Sequence, residues 1–131
     1  MTTLGRLSLH SSQVTNLGPL SSVPNLQELD LTDNKISDIS PLSRLADLRE
    51  LYLNYNQVSQ LDALRGLTNL TDLMLKDNQI TDISPLENNP GIGSGDNVDI
   101  EGNQIDCIDQ ADNISALLNR EVNLRHDCEL P

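Results

Sequence analysis

The chain has 131 residues, a formal charge of −12, no Trp, no Phe and only two Tyr. That length fits one ordinary domain, yet a conventional globular core draws heavily on the aromatic rings this sequence lacks. The negative charge argues against nucleic acid and anionic membrane surfaces as partners, because both attract Lys and Arg. No stretch approaches the ~18–20 apolar residues needed for a membrane-inserted helix.

The opening segment, MTTLGRLSLHSS, has neither a basic n-region nor a long apolar h-region, so it does not read as a signal peptide. A repeat begins within four residues of Met1, which predicts a trimmed mature fragment or an engineered scaffold with no partner of its own. The repeat is plainest in NKISDISPL at 34–42 and NQITDISPL at 78–86, with a looser copy, NQVSQLDAL, at 56–64. Asn34, Asn56 and Asn78 are thus spaced by 22 residues. Aligned on them, Leu26, Leu48 and Leu70 open the units, followed by Leu29, Leu51, Leu73 and by Leu31, Leu53, Leu75. Ile36, Val58, Ile80, then Ile39, Leu61, Ile83, then Leu42, Leu64, Leu86 follow each Asn. A fixed period of this length is the mark of an array in which each unit buries its apolar edge against the next.

The repeats divide the single domain at about 4–25, 26–47, 48–69, 70–94 and 95–108, with a cap at 109–131. In each unit the alternation of Leu29 and Leu31 predicts a short strand. The return path is too short for a long helix, and its apolar residues recur every third position, which suits 3₁₀ turns. Ser40 and Ser84 are candidate N-caps, with Pro41 and Pro85 in the first helical position. The Asn after each strand can satisfy backbone groups where the chain bends inward, so Asn34, Asn56, Asn78 and Asn103 should stack as a buried ladder. The first unit carries Ser12 at that position, and Ser caps fewer groups. After Leu86 the pattern arrives three residues late, a slip absorbed by the Gly-, Pro- and Asn-rich segment that contains GIGSG at 91–95. A fifth strand is predicted at 97–101.

Beyond Ile108 the period changes. Ala111, Ile114, Leu117 and Leu118 share one helical face, with Asp109 as N-cap and Asp112 in the first turn. The segment 122–124, VNL, then resumes strand alternation as a sixth edge strand. Helix and strand together form the polar-faced lid such an array requires. Cys107 and Cys128 bracket the lid and would close it as a disulfide, which requires an oxidising compartment. The alternatives are two reduced thiols or a metal site that adds His126, although zinc spellings with close Cys pairs are absent.

The repeat LxxLxLxxNxLxxLxxLxxLxx resembles the leucine-rich repeat, and its 22-residue form with recurrent DISPL resembles the bacterial internalin-like class. The resemblance implies a right-handed superhelix, an α/β solenoid with a parallel sheet on its concave side and 3₁₀ turns on its convex side. It also implies an extracellular or bacterial cell-surface protein that binds other proteins on the concave sheet. The N-terminal helical cap usual in that class is not visible here.

An enzyme would need a nucleophile, a base and an orienting group in one place. The two histidines, His10 and His126, sit at opposite ends of the array, and no phosphate loop, HExxH or GxSxG occurs. No catalytic site, cofactor or metal is therefore expected. Outward strand positions are better candidates for function. By column they are Arg6, Glu28, Glu50, Asp72, Asn97; Ser8, Asp30, Tyr52, Met74, Asp99; His10, Thr32, Asn54, Lys76, Glu101; and Ser11, Asp33, Tyr55, Asp77, Gly102. Eight of these are acids and two are Lys or Arg. Tyr52, Tyr55 and Met74 form an apolar anchor set, rimmed by Asp30, Asp33, Glu50, Asp77 and Lys76, suited to a protein with basic or mixed polar and apolar character. Dispersed Ca²⁺ binding by the acids is the weaker reading, since carboxylates on a regular sheet rarely converge. A cytosolic regulatory repeat protein of the phosphatase-binding sort is the alternative function. Leu4, Leu7, Leu9 and Val14 would leave an apolar end and an open strand edge through which copies could self-associate.

Overall fold

The computed structural model describes residues 5–129. Six three-residue strands form one sheet in chain order: β1 (Arg6–Ser8), β2 (Glu28–Asp30), β3 (Glu50–Tyr52), β4 (Asp72–Met74), β5 (Asn97–Asp99) and β6 (Asn123–Arg125). All neighbours are parallel, as a chain that returns by one path in every unit must make them. Leu7, Leu29, Leu51, Leu73, Val98 and Leu124 stand in register. The middle members of this row are buried, and so are the rows through Leu31, Leu53, Leu75 and through Ile36, Val58, Ile80. Backbone pairing outlasts the formal strands, for Leu53 N–H donates to Met74 O at 2.8 Å and Tyr55 N–H to Lys76 O at 2.9 Å.

The asparagines do what their position predicts. Asn56 Oδ1 accepts the N–H of Ile36 at 3.0 Å, while Nδ2 donates to Leu31 O at 3.0 Å and Leu53 O at 3.1 Å. Asn78 repeats this with Val58, Leu53 and Leu75, and Asn103 with Ile80, Leu75 and Ile100. Asn34 takes two amides, Ser12 and Val14, so the Ser12 turn is held from the second unit as well as by its own hydroxyl, which donates to His10 O at 3.1 Å. Leu31, Leu53 and Leu75 carbonyls each receive two Asn side chains, their own unit's and the next one's. Asn34, Asn56 and Asn78 are buried; Asn103, nearest the cap, is only half-buried.

The convex turns differ in detail from expectation. Gly18–Ser22, Ser40–Arg44 and Asp62–Leu64 are 3₁₀, but the fourth, α1 (Ser84–Glu87), is a single α turn closed by Asn88 N–H on Ser84 O at 2.8 Å. Ser40 and Ser84 are not the N-caps. Ile39 and Ile83 hold those positions without side-chain bonds, and the capping acceptor comes from Asp38 and Asp82, whose Oδ1 atoms take the Ser40 and Ser84 N–H at 2.9 Å. A carboxylate two residues upstream reaches that amide directly, so the serine hydroxyl is not needed. Bonds from the Ser40 hydroxyl and then its N–H hold the Asp38 carboxyl below the usual range.

β5 ends at Asp99, two residues short of the predicted 101, and β6 is shifted by one to Asn123–Arg125, with Val122 buried. The late segment between β4 and β5 is pinned by a residue the periodicity did not mark. Buried Asn89 donates to Leu64 O at 2.8 Å and Leu67 O at 3.0 Å and accepts the Gly91 N–H. Gly91 lies against the Thr68 backbone where a Cβ could not fit.

The cap helix, α2, spans Ala111–Asn119. Its N-cap is Gln110 and not Asp109. Gln110 is buried, and its Oε1 takes Ile83 N–H at 2.9 Å and Asn113 Nδ2 at 3.0 Å, tying the lid to the previous unit. Ile114 and Leu117 are buried, whereas Leu118 is exposed, because the face that meets the solenoid is narrower than the apolar pattern. Cys107 and Cys128 lie at bonding distance, S–S 2.00 Å and Cα–Cα 5.5 Å. His126 Nδ1 accepts the Cys128 N–H at 3.1 Å. At the other end Leu7, Leu9 and Val14 are half-buried against the core, and Leu4 lies outside the described residues.

Two predictions follow from this framework. Asn56→Ala leaves buried backbone groups without partners in two units and should lower unfolding free energy by about 3 kcal/mol, measured by urea denaturation; a loss near zero would contradict the ladder's role. Cys107→Ser with Cys128→Ser should cost about 3 kcal/mol and expose α2 first in limited proteolysis. Cleavage starting elsewhere would show that the bridge does not hold the lid.

Candidate functional site

Strand alternation turns the residues between the leucines outward, and the parallel register sets them in the predicted columns. Tyr52 stands between Asp30 of β2 and Met74 of β4, so the aromatic and the thioether are direct neighbours. Its hydroxyl donates to Glu50 Oε1 at 2.7 Å. The phenol is pushed up to about 12, first by that bond, then by burial and by the charges of Glu50, Asp72 and Glu28. Tyr52 is half-buried.

Six of the eight acids, Glu28, Asp30, Asp33, Glu50, Asp72 and Asp99, are engaged by their neighbours. Arg6 forms a forked pair with Glu28, Nε to Oε2 at 2.6 Å and Nη2 to Oε1 at 3.0 Å. Hydrogen bonds from Arg6 and then Glu50 hold the Glu28 carboxyl below its usual range. Asn97 Nδ2 donates to Asp72 Oδ1 at 2.8 Å, and Asn123 Nδ2 to Asn97 Oδ1 at 3.2 Å. Asp30 Oδ1 accepts the Thr32 N–H at 3.0 Å, and Asp33 Oδ2 the Ser11 hydroxyl at 2.9 Å. The outer column is thus bridged at both ends, Arg6 to Glu28 and Asp72 through Asn97 to Asn123, with Glu50 between them held by Tyr52.

The remaining predicted residues form a second row. Ser11, Asp33, Tyr55, Asp77 and Gly102 all have left-handed backbone, φ between 53° and 72°, one residue before the ladder position. Gly, and to a lesser degree Asp, adopt this region at small cost, but for a bulky ring it is an outlier. Tyr55 has φ 60° and is 50% exposed. Lys76 lies between the rows, its N–H on Asn54 Oδ1 at 2.8 Å. Tyr52, Met74, Glu50 and Asp30 are therefore contiguous on the strands, while Tyr55, Asp33 and Asp77 line the rim three residues further along the chain.

Two shallow troughs open on this face. One, about 290 Å³, is lined by residues of β1 and β2 and by Tyr52. The other, about 590 Å³, lies over β4 to β6 between Met74, Asp99 and Arg125. Asn123 and Arg125 were absent from the predicted columns. The signal was there, since burial of Val122 and Leu124 by alternation turns both outward, but one short edge strand after a helix offers no repeat to align.

Known proteins place this architecture. The model of Leucine Rich repeats (2 copies) matches residues 2–44 and 47–88. Internalin C2 of Listeria monocytogenes is similar in structure at TM-score 0.80 and 36% identity, covering 95% of this chain and 52% of its own. A second Listeria monocytogenes internalin gives 0.75 and 31%, covering 88% and 34%. A leucine-rich repeat protein of Leptospira interrogans gives 0.75 and 28%, covering 93% and 30%. The chain thus spans from about a third to a half of the length of these relatives. No curated protein sequence matches it significantly. With its six-stranded parallel sheet, convex turns and helical lid, the chain belongs to the leucine-rich repeat family, in the bacterial internalin-like class.

Proposed function

We propose that this chain is a non-enzymatic protein-recognition module that binds a polypeptide on its acidic concave face, secreted or displayed at a bacterial surface. Tyr52, Tyr55 and Met74 are the anchors. Asp30, Asp33, Glu50 and Asp77 supply the acidic rim, with Lys76 between the rows. The single observation that carries this reading is Tyr55, a large ring kept in left-handed backbone where equivalent units place Ser, Asp or Gly. Strain of this kind persists where a side chain is needed for something other than folding. Aromatic and Met side chains dominate protein interfaces, and neighbours that already fix the acids lower the ordering cost of binding.

A cytosolic regulatory role fits less well, because reducing compartments keep thiols unpaired and Cys107 and Cys128 sit at bonding distance. The apolar N-terminal edge formed by Leu7, Leu9 and Val14 supports a further part of the reading, self-association of copies through β1. Sedimentation should then show mass rising with concentration, and a strict monomer at high concentration would exclude it.

Peptides selected on the immobilised chain from a random library should be rich in Lys and Arg beside an apolar residue. Their binding should fall by about tenfold or more in Tyr52→Ala/Tyr55→Ala. Tyr55→Asn should weaken binding while raising stability by ~1 kcal/mol, seen as a higher Tm. Selected peptides without charge bias, or undiminished binding to the double variant, would contradict the proposal.

A further inference from the structure

The trough over β4 to β6 holds an acid whose bonding is incomplete. Asp99 is 7% exposed. Its Oδ1 accepts the Glu101 N–H at 3.0 Å, and Oδ2 receives no hydrogen bond from any described residue. Among the described residues no side-chain oxygen shut off from solvent lacks a partner, so Oδ2 is the atom of this largely buried side chain that faces the open trough. Arg125 is the register partner of Asp99 on the adjacent strand, yet the two form no ion pair. Met74 walls the opposite side, and Asp72, Asn97 and Asn123 lie along one edge already bonded to each other.

We propose that this trough seats one basic side chain of a polypeptide partner, its apolar stem along Met74 and its charged head on Asp99 Oδ2. Arg125 takes the acidic residue next to it in the partner. This rests on the reading of the concave face as a protein-recognition surface and extends it to a site separate from the Tyr55 rim. The chemistry follows from the residues. The free oxygen only accepts, so the incoming group must donate, and a charged donor makes the stronger hydrogen bond to a carboxylate. The opening of about 590 Å³ has room for a long side chain. The guanidinium of Arg125 is an exposed donor fork matched to a carboxylate.

The test uses the whole chain and an acetylated Arg-Asp dipeptide amide, followed by NMR shifts of the Met74 methyl and the Asn97 and Asn123 side-chain amides. Saturable shifts are expected at those groups. Replacing Arg by its neutral isostere citrulline in the peptide should weaken binding about tenfold, and Asp99→Asn, which keeps an acceptor for Glu101, should do the same. Arg125→Gln should remove the advantage of Asp over Asn in the peptide. Equal affinity for the citrulline peptide would overturn the proposal, as would shifts centred on Tyr52 and Tyr55. So would strong coupling between Asp99→Asn and Arg125→Gln in unfolding free energy without peptide, which would mean the two side chains satisfy each other. If library peptides need Tyr52 and Tyr55 while the dipeptide binds nowhere, recognition by the face stands and this site alone falls.

Discussion

One side-chain amide per turn governs this structure. A parallel strand that must bend back after three residues leaves N–H and C=O groups pointing into an apolar interior, where unpaired polar groups are costly. Asn has one acceptor and two donors at the right reach, and Asn56 spends them on Ile36, Leu31 and Leu53, which belong to two successive coils. Because each bridged carbonyl also receives the next Asn, the amides join the units into one polar thread beside the leucine stack. The residue just before each Asn is left-handed, which is how the chain turns its amide beneath the sheet.

The outer face inherits its order from that thread. Strand register places Tyr52 beside Met74 and lines Glu28, Glu50, Asp72, Asn97 and Asn123 in one column. Bridges from Arg6, Tyr52, Asn97 and Asn123 then hold these side chains before any partner arrives. A negatively charged face whose acids are already oriented differs from a cloud of mobile charge: it favours particular arrangements of basic groups over any cation. The left-handed column adds a rim where one member, Tyr55, departs from the residues that fit that backbone best.

The legibility of the sequence followed the same physics. Features imposed on every unit, the leucine rows, the strand alternation and the Asn ladder, were readable because the period repeats the constraint and so separates it from chance. Features made once were not. Asn89 and Gln110 each bridge the fourth unit to a neighbour through a bond fixed only by tertiary position, and nothing in their local sequence marks them. Asp38 and Asp82 recur with the period, yet Ser40 and Ser84 offered an equally plausible cap, and reach decided between them. Leu118 shows the limit of an apolar pattern, which names a helix face but not how much of it a lid covers. Tyr52 could be placed outward from alternation alone, whereas Tyr55 shares the parity of the buried Leu51 and Leu53 and is turned out by its left-handed backbone, a property that composition does not carry.

The central claim is that the Asn side chains, together with the leucines, hold the coils together. Native-state hydrogen exchange reads it directly at the amides of Ile36, Val58 and Ile80, whose acceptors are the Oδ1 atoms of Asn56, Asn78 and Asn103. The account predicts that these three exchange as slowly as the strand amides of Leu51 and Leu73, opening only with the whole solenoid. Exchange at the rate of the neighbouring exposed turns, with the strands still protected, would contradict it.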